Sequence, residues 1–380
     1  MTMIEVCLQG TCDPRFSHVK DAFAENFRDR GEVGAAVAVY KDGQKIVDLW
    51  GGVANPDTGQ LWTEDSIVCM MSVGKSMAAL CLLMLVDRGH LDLDKTVARY
   101  WPEFGQAGKE AITVRTLMQG KAGLLYADQA PDNSLYDWPA IIRALEIQAP
   151  EWEPGTKGGY HSMTCGFLLG ELVRRIDGRS IDLFFDQEVA ASLGIDYRFG
   201  LKGADYRRVA PLIANPNSQT LQQASSETTK LGRAWRVKPA EPEFHYNSDI
   251  FRRAVMPSGN GHGNARAIAR VFALLASGGT LDGISLLSAD LITQARTQSW
   301  SGICEMTDRQ LTYGCGFFLN SAPMASFGPN PASFGHPGAG GAVGFADPEA
   351  GIAFSYSPNF MCGGASLGDR CEALVQAVYR

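Results

Sequence analysis

The sequence predicts an α+β protein in which strands from both ends of the chain build one sheet and the middle of the chain contributes helices. Three observations carry this. β-like runs cluster at 34–51 and again at 333–357, and helical patterns fill the interval from about 72 to 200. The chain has 380 residues, 45% of them hydrophobic, which is ample for a large core.

Phe16, Val19, Phe23 and Phe27 recur at helical spacing and predict an amphipathic helix that stops near Gly31. The runs GAAVAVY (34–40) and KIVDLWG (45–51) follow, split by the turn-forming Lys41-Asp42-Gly43, a hairpin signal. An apolar helix over about 72–88 ends at Arg88-Gly89-His90. Its core, MAALCLLMLV (77–86), is too short to span a bilayer and reads as buried. TVRTLMQ, WPAIIRALEI and TCGFLLGELVRRIDG continue the helical region, the last closed by a C-cap-like glycine. Residues 203–263 are polar and weakly periodic, predicting a long surface excursion or lid. The helix ARAIARVFALLASGG (265–279) precedes the β-like SFGHPG, GAVGFADP and GIAFSYS, with 347–351 as a turn, and a last helix covers about 368–379. The expected division is an α/β domain of residues 1–85 plus 264–380 and a mainly helical subdomain of residues 86–263.

The formal net charge is -7 and no Lys/Arg cluster occurs, which argues against nucleic acid or an anionic membrane as partner. Nine cysteines are scattered without a C-x-x-C pair, the pattern of free thiols in a reducing compartment. The first residues show no basic stretch followed by an apolar one, so the expected location is the cytoplasm. H-E-x-x-H and Cys/His clusters are absent; neither a metal nor a cofactor is expected.

Ser72-Val73-Gly74-Lys75 lies where a β-prone run gives way to the apolar helix. Residues i and i+3 share a helix face, so the lysine can reach the serine hydroxyl. A desolvated ammonium loses its proton more readily, and the resulting amine can activate the serine as a nucleophile. Backbone N–H groups at a helix start can also stabilise an oxyanion. The bland alternative is a helix N-cap beside an exposed lysine. Ser17-His18-Val19-Lys20 repeats the pattern, but Lys20 lies off the apolar stripe and reads as surface. Gly364-Ala365-Ser366-Leu367-Gly368 matches a nucleophile elbow, yet the last histidine, His336, precedes Ser366, so a Ser–acid–His order cannot be completed.

Two further motifs join the first. PGTKGGYHS (154–162) places Tyr160 two residues before Ser162 and ahead of an apolar helix, and Gly335-His336-Pro337-Gly338 ends a late β run. The order S-x-x-K, then Y-x-S, then H-x-G resembles the serine β-lactamase and penicillin-binding protein superfamily, and within it the family VIII carboxylesterases. VDLWGG (47–52), DRGHLDLDKTV (87–97) and the Asn260-Gly261 turn support a resemblance that runs from about residue 15 to the end.

The resemblance implies an antiparallel sheet flanked by helices, joined to a mainly helical subdomain, with the site between them. It implies Ser72 as the acylated nucleophile, and Lys75 and Tyr160 sharing the general acid and base work, the phenol held as phenolate beside an ammonium. The backbone N–H groups of Ser72 and Ala339 form the oxyanion hole, and His336, Gly338 and Ser162 contact substrate. His161 is a weaker candidate base, lacking an orienting acid. Where β-lactamases usually carry Lys-Thr-Gly, this chain has His336-Pro337-Gly338. A mostly neutral ring and a residue without hydroxyl or N–H weaken the hold on an antibiotic carboxylate, with Lys121 or Lys157 as possible replacements for the charge. Gln119 to Leu124 also departs from the His-containing loop of many relatives. The expected activity is hydrolysis of neutral, short-acyl, small-molecule esters. β-Lactam, D-amino-acid peptide or amide hydrolysis and acyl transfer use the same site, and a non-catalytic binding protein of this fold is the alternative of a different class.

Overall fold

A computed structural model describes residues 7–240, 245–364 and 367–380. Ser366, the elbow serine, therefore lies outside the described residues. Strands β1 (Gln9–Cys12), β2 (Gly34–Lys41) and β3 (Gln44–Asn55) join β4 (Trp300–Ile303), β5 (Gln310–Tyr313), β6 (Phe318–Leu319), β7 (Phe334–Pro337), β8 (Val343–Asp347) and β9 (Ile352–Pro358). Their spatial order is β1-β3-β2-β9-β8-β7-β6-β5-β4, and every pairing is antiparallel. The two ends of the chain meet where β2 pairs with β9, Ala38 opposite Ser355 and Val37 opposite Tyr356.

The β2–β3 hairpin closes on Asp42 (φ 49°) and Gly43 (φ 78°), the two positive-φ residues of a turn whose twist suits the strands. Side chains alternate across β2. Val37 and Val39 face one core with Val19, Phe23, Phe345, Phe354 and Leu374, drawn partly from helices α1 (Ser17–Asp29) and α6 (Asp369–Val378). Ala36, Ala38 and Tyr40 face the other core with Ile268 and Phe272 of α5 (Ala265–Ala276). Small residues under α5 let that helix sit close to the sheet.

Helix α2 (Gly74–Asp87) is buried from Gly74 through Leu85, as expected of a helix that is apolar on all sides. It packs on α4 (Thr164–Asp177), which also meets α3 (Trp138–Ile147). No helix among the described residues is long and apolar enough to cross a membrane.

Two expectations change. Strands β1 and β4–β6 were not foreseen: β1 and β4 lie at the two ends of the strand order, where only one neighbour constrains the pattern. Residues 203–263 are not a plain loop but carry short helices, Gln219–Ser225, Lys230–Ala234 and Asp249–Arg253, each started by a serine or threonine cap.

Candidate active site

The site is assembled where two distant segments run side by side. Val68–Cys69 pairs with His262–Gly263, and the Met70 N–H donates to the Gly261 carbonyl at 2.8 Å. Met71 then adopts φ 49°, a left-handed conformation that non-glycine residues hold only where the surroundings enforce it. This turns the chain from strand into helix. Ser72 is left half-buried in a short 3₁₀ turn, and Lys75, one turn on, is enclosed at 1% exposure.

Gly74 makes this possible. A Cβ there would collide with the Pro257 carbonyl, so only glycine lets the helix touch the 257–258 backbone. That contact delivers the Ser258 carbonyl to the lysine. Lys75 Nζ donates to it at 2.7 Å and lies 3.0 Å from Ser72 Oγ. Ser258 is itself fixed on α4, its Oγ donating to the Met163 carbonyl at 2.7 Å and accepting from the Gly166 N–H at 2.6 Å. Both acceptors of Lys75 are neutral. Burial therefore pushes the ammonium down to about 7, only weakly opposed by the nearby Cys165.

Tyr160 flanks the serine on its other side, its ring 4.8 Å from Lys75 Nζ. Burial raises the phenol, and the neighbouring Ser72 hydroxyl offsets this only in part. Burial works against the expected phenolate, since it raises the phenol and also disfavours the ammonium beside it. Ser72 stands between an amine that can accept a proton and a phenol that can give one.

Ser72, Tyr160 and Ser162 open onto a cavity of about 430 Å³, which Pro337, Gly338 and Ala339 also line. A Cβ on Gly338 would strike the Met70 carbonyl, so the absence of a side chain lets the end of β7 press against the approach to Ser72. Trp235 Nε1 donates to Ser162 Oγ at 3.1 Å.

His336 does not reach this cavity. Neighbouring residues on a strand face opposite ways, and with Pro337 on the wall the imidazole turns inward, packing edge-on against Phe318 at 4.6 Å and beside Tyr160 at 5.9 Å. Burial, with Lys75 nearby, holds it well below the usual histidine range, and Nδ1 lies 2.7 Å from the Pro337 carbonyl. The substrate contact expected of the His336 side chain is corrected to a buried, neutral packing role.

His161 is a brace. Its Nε2 accepts from the Leu124 N–H at 3.1 Å, Nδ1 meets the Gly159 carbonyl at 2.9 Å, and burial pushes it down to about 4. With Thr164 Oγ1 donating to the Leu124 carbonyl at 2.6 Å, it ties the 119–124 loop to the Tyr160 loop. Neither Lys121 nor Lys157 lines the cavity, and Lys157 pairs with Glu305 at 3.2 Å. Ser17 and Lys20 are both exposed on α1.

Sequence reading missed Ser258, Trp235, Lys238 and Arg309. Ser258 works through its main-chain carbonyl, which leaves no trace in residue type. Lys238 and Arg309 line the far wall, where Lys238 donates to the Ala224 carbonyl and Arg309 to the Gln219 side chain.

The beta-lactamase family model matches residues 19–372. The chain belongs to the beta-lactamase family. It is 35% identical over 363 residues to "Esterase/beta-lactamase LipL" of Mycobacterium tuberculosis, covering 92% of this chain and 82% of that protein. A solved structure described as a family VIII carboxylesterase superposes with a TM-score of 0.89 at 36% identity, covering 98% of this chain and 99% of the other. A penicillin-binding protein homologue from Caulobacter crescentus gives 0.88 at 34% identity with the same coverage. Membership makes the chain a serine hydrolase of this fold.

Proposed function

We propose that the protein is a carboxylesterase that hydrolyses neutral, short-acyl esters through a covalent acyl-enzyme on Ser72. The observation that carries this reading is the Ser72 hydroxyl held between the buried Lys75 amine and the Tyr160 phenol, at the mouth of a cavity. The likeness to an esterase/β-lactamase and to a family VIII carboxylesterase supports it.

In the reaction, Ser72 Oγ attacks the ester carbonyl as its proton passes to Lys75 Nζ. The N–H groups of Ser72 and Ala339 receive the oxyanion. Tyr160 protonates the departing alkoxide and is reprotonated from Lys75. Water then attacks the acyl-enzyme, giving one proton to this pair and the other to the carboxylic acid, and Ser72 recovers its hydroxyl proton from the pair. Alignment depends on Gly338. Gly338→Ala should displace β7 from the Met70 carbonyl and lower kcat/KM for p-nitrophenyl butyrate by about 10²-fold with the circular dichroism unchanged.

Neutral esters are favoured over β-lactams because, among the described residues, the wall beside Ser72 holds no fixed cation. Met71, Tyr160, Ser162, Ser258 and residues 337–340 are uncharged, and His336 is neutral behind them. A charge-assisted contact contributes about 1.5–3 kcal/mol, so its lack should weaken carboxylate binding by roughly ten- to a hundredfold. A panel of p-nitrophenyl esters run beside a chromogenic cephalosporin tests this. Esters should be turned over far faster; equal efficiency on the cephalosporin would replace the esterase reading by a β-lactamase one, with the far-wall Lys238 and Arg309 as anchors. The nine cysteines, all free, support a reducing, cytoplasmic location as part of the same proposal.

A further inference from the structure

Tyr160 sits on a loop whose own backbone does little to hold it. It lies in neither helix nor strand and follows Gly158 and Gly159, the residue type with the most conformational freedom. Both glycines are clamped from outside. A Cβ on Gly158 would collide with the Trp300 indole, and one on Gly159 with the Trp152 ring, so each lies flat against a tryptophan. Trp300 Nε1 donates to the Gln119 carbonyl at 2.8 Å, and the Gly159 N–H donates to the Gly120 carbonyl at 2.9 Å. The nearest restraints on the phenol come from the end of the β4–β5 hairpin. The Glu305 N–H donates to the Gly158 carbonyl at 3.0 Å, and the Tyr160 N–H donates to Cys304 Sγ at 3.2 Å. Cys304 is buried and fixed in turn: its N–H donates to the Arg309 carbonyl and its carbonyl accepts from the Asp308 N–H, each at 2.9 Å.

The same hairpin also reaches the ring. Trp300 stands opposite Tyr313 and stacks on it at 6.1 Å. Tyr313 packs edge-on against Phe318 at 5.3 Å, and Phe318 meets the Tyr160 ring at 5.6 Å. Backbone and ring of Tyr160 are thus both referred to one edge of the sheet. Neither Cys304 nor Trp300 lines the substrate cavity. We infer that Cys304 and Trp300 are positioning residues for general acid catalysis: they set where the Tyr160 proton meets the leaving oxygen. In that step the acyl C–O bond breaks and the departing alkoxide takes the phenolic proton. Sulfur is a weak acceptor, but without it the Tyr160 N–H would be left unpaired beside the reacting group. This rests on the esterase reading and adds to it the residues that aim its acid.

The test uses two esters with one acyl group, p-nitrophenyl butyrate and ethyl butyrate. A p-nitrophenolate departs without a proton, whereas an ethoxide needs one, so only the ethyl ester depends strongly on the acid. Cys304→Ala removes the acceptor and should lower kcat/KM for ethyl butyrate by about ten- to a hundredfold, but for the p-nitrophenyl ester by no more than about threefold. Cys304→Ser keeps an acceptor and should restore most of the loss. Trp300→Phe keeps a ring without the N–H and should show the same selectivity, which keeps the test decisive should Cys304→Ala fail to fold. Tyr160→Phe marks the full size of the effect. Equal losses on both esters in the Cys304 and Trp300 variants, or no loss on either, overturn the inference while leaving the esterase reading intact. If Tyr160→Phe itself does not discriminate between the esters, the acid role falls and the inference with it. Failure of the wild type on both esters instead overturns the esterase reading.

Discussion

Ser72→Ala is expected to abolish ester hydrolysis, lowering kcat by about 10⁴-fold or more, as removal of a nucleophile does in hydrolases that work through an acyl-enzyme. The fold should be untouched, because Ser72 Oγ contributes only a long 3.4 Å contact to the Ser258 carbonyl beyond its 3.0 Å bond to Lys75. Mass spectrometry after mixing with an activated ester or a phosphonate should show a covalent adduct on the wild type and none on the variant. Ser366→Ala serves as the comparison and should remain close to wild type. If Ser366→Ala inactivates a folded protein and Ser72→Ala does not, the nucleophile has been misassigned.

Motifs with local geometry were legible in the sequence. The Ser72–Lys75 pair needs only helical spacing, the Asp42-Gly43 turn needs only its two positive φ angles, and the buried α2 announces itself by apolar residues on every face. What escaped was whatever depends on segments far apart in the chain. The Ser258 carbonyl reaches Lys75 across 183 positions, through the missing side chain of Gly74. Gly74 was in plain sight as the third letter of the motif, but its purpose exists only once Pro257 lies against it. The inward turn of His336 and the hold of Trp235 on Ser162 are likewise properties of packing. The phenolate expectation counted a charge beside Tyr160 without the burial that disfavours both that charge and the phenolate.

That burial makes Lys75→Met the sharpest test of the proton chemistry, since activity and stability should move in opposite directions. Loss of the base should lower kcat/KM by about 10²–10⁴-fold. In the wild type the working form is the free amine, so kcat/KM should rise with pH through about 7 and then level. Stability follows from the same displacement. The folded lysine titrates near 7 and the unfolded one in the ordinary lysine range, so between those limits the unfolded chain binds more protons and wild-type stability rises with pH. Below about 7 both states are protonated, and the full penalty for burying the charge is present. Methionine fills similar space without a charge but leaves the Ser258 carbonyl unpaired, which takes back about 1 kcal/mol. Lys75→Met should therefore be more stable than wild type by about 1–4 kcal/mol at pH 6, with the margin shrinking steadily toward pH 10. Urea unfolding at pH 6, 7.5 and 9 reads this directly. A margin that does not change with pH would mean that Lys75 is charged in the folded enzyme, and the amine could not then be the group that takes the proton from Ser72.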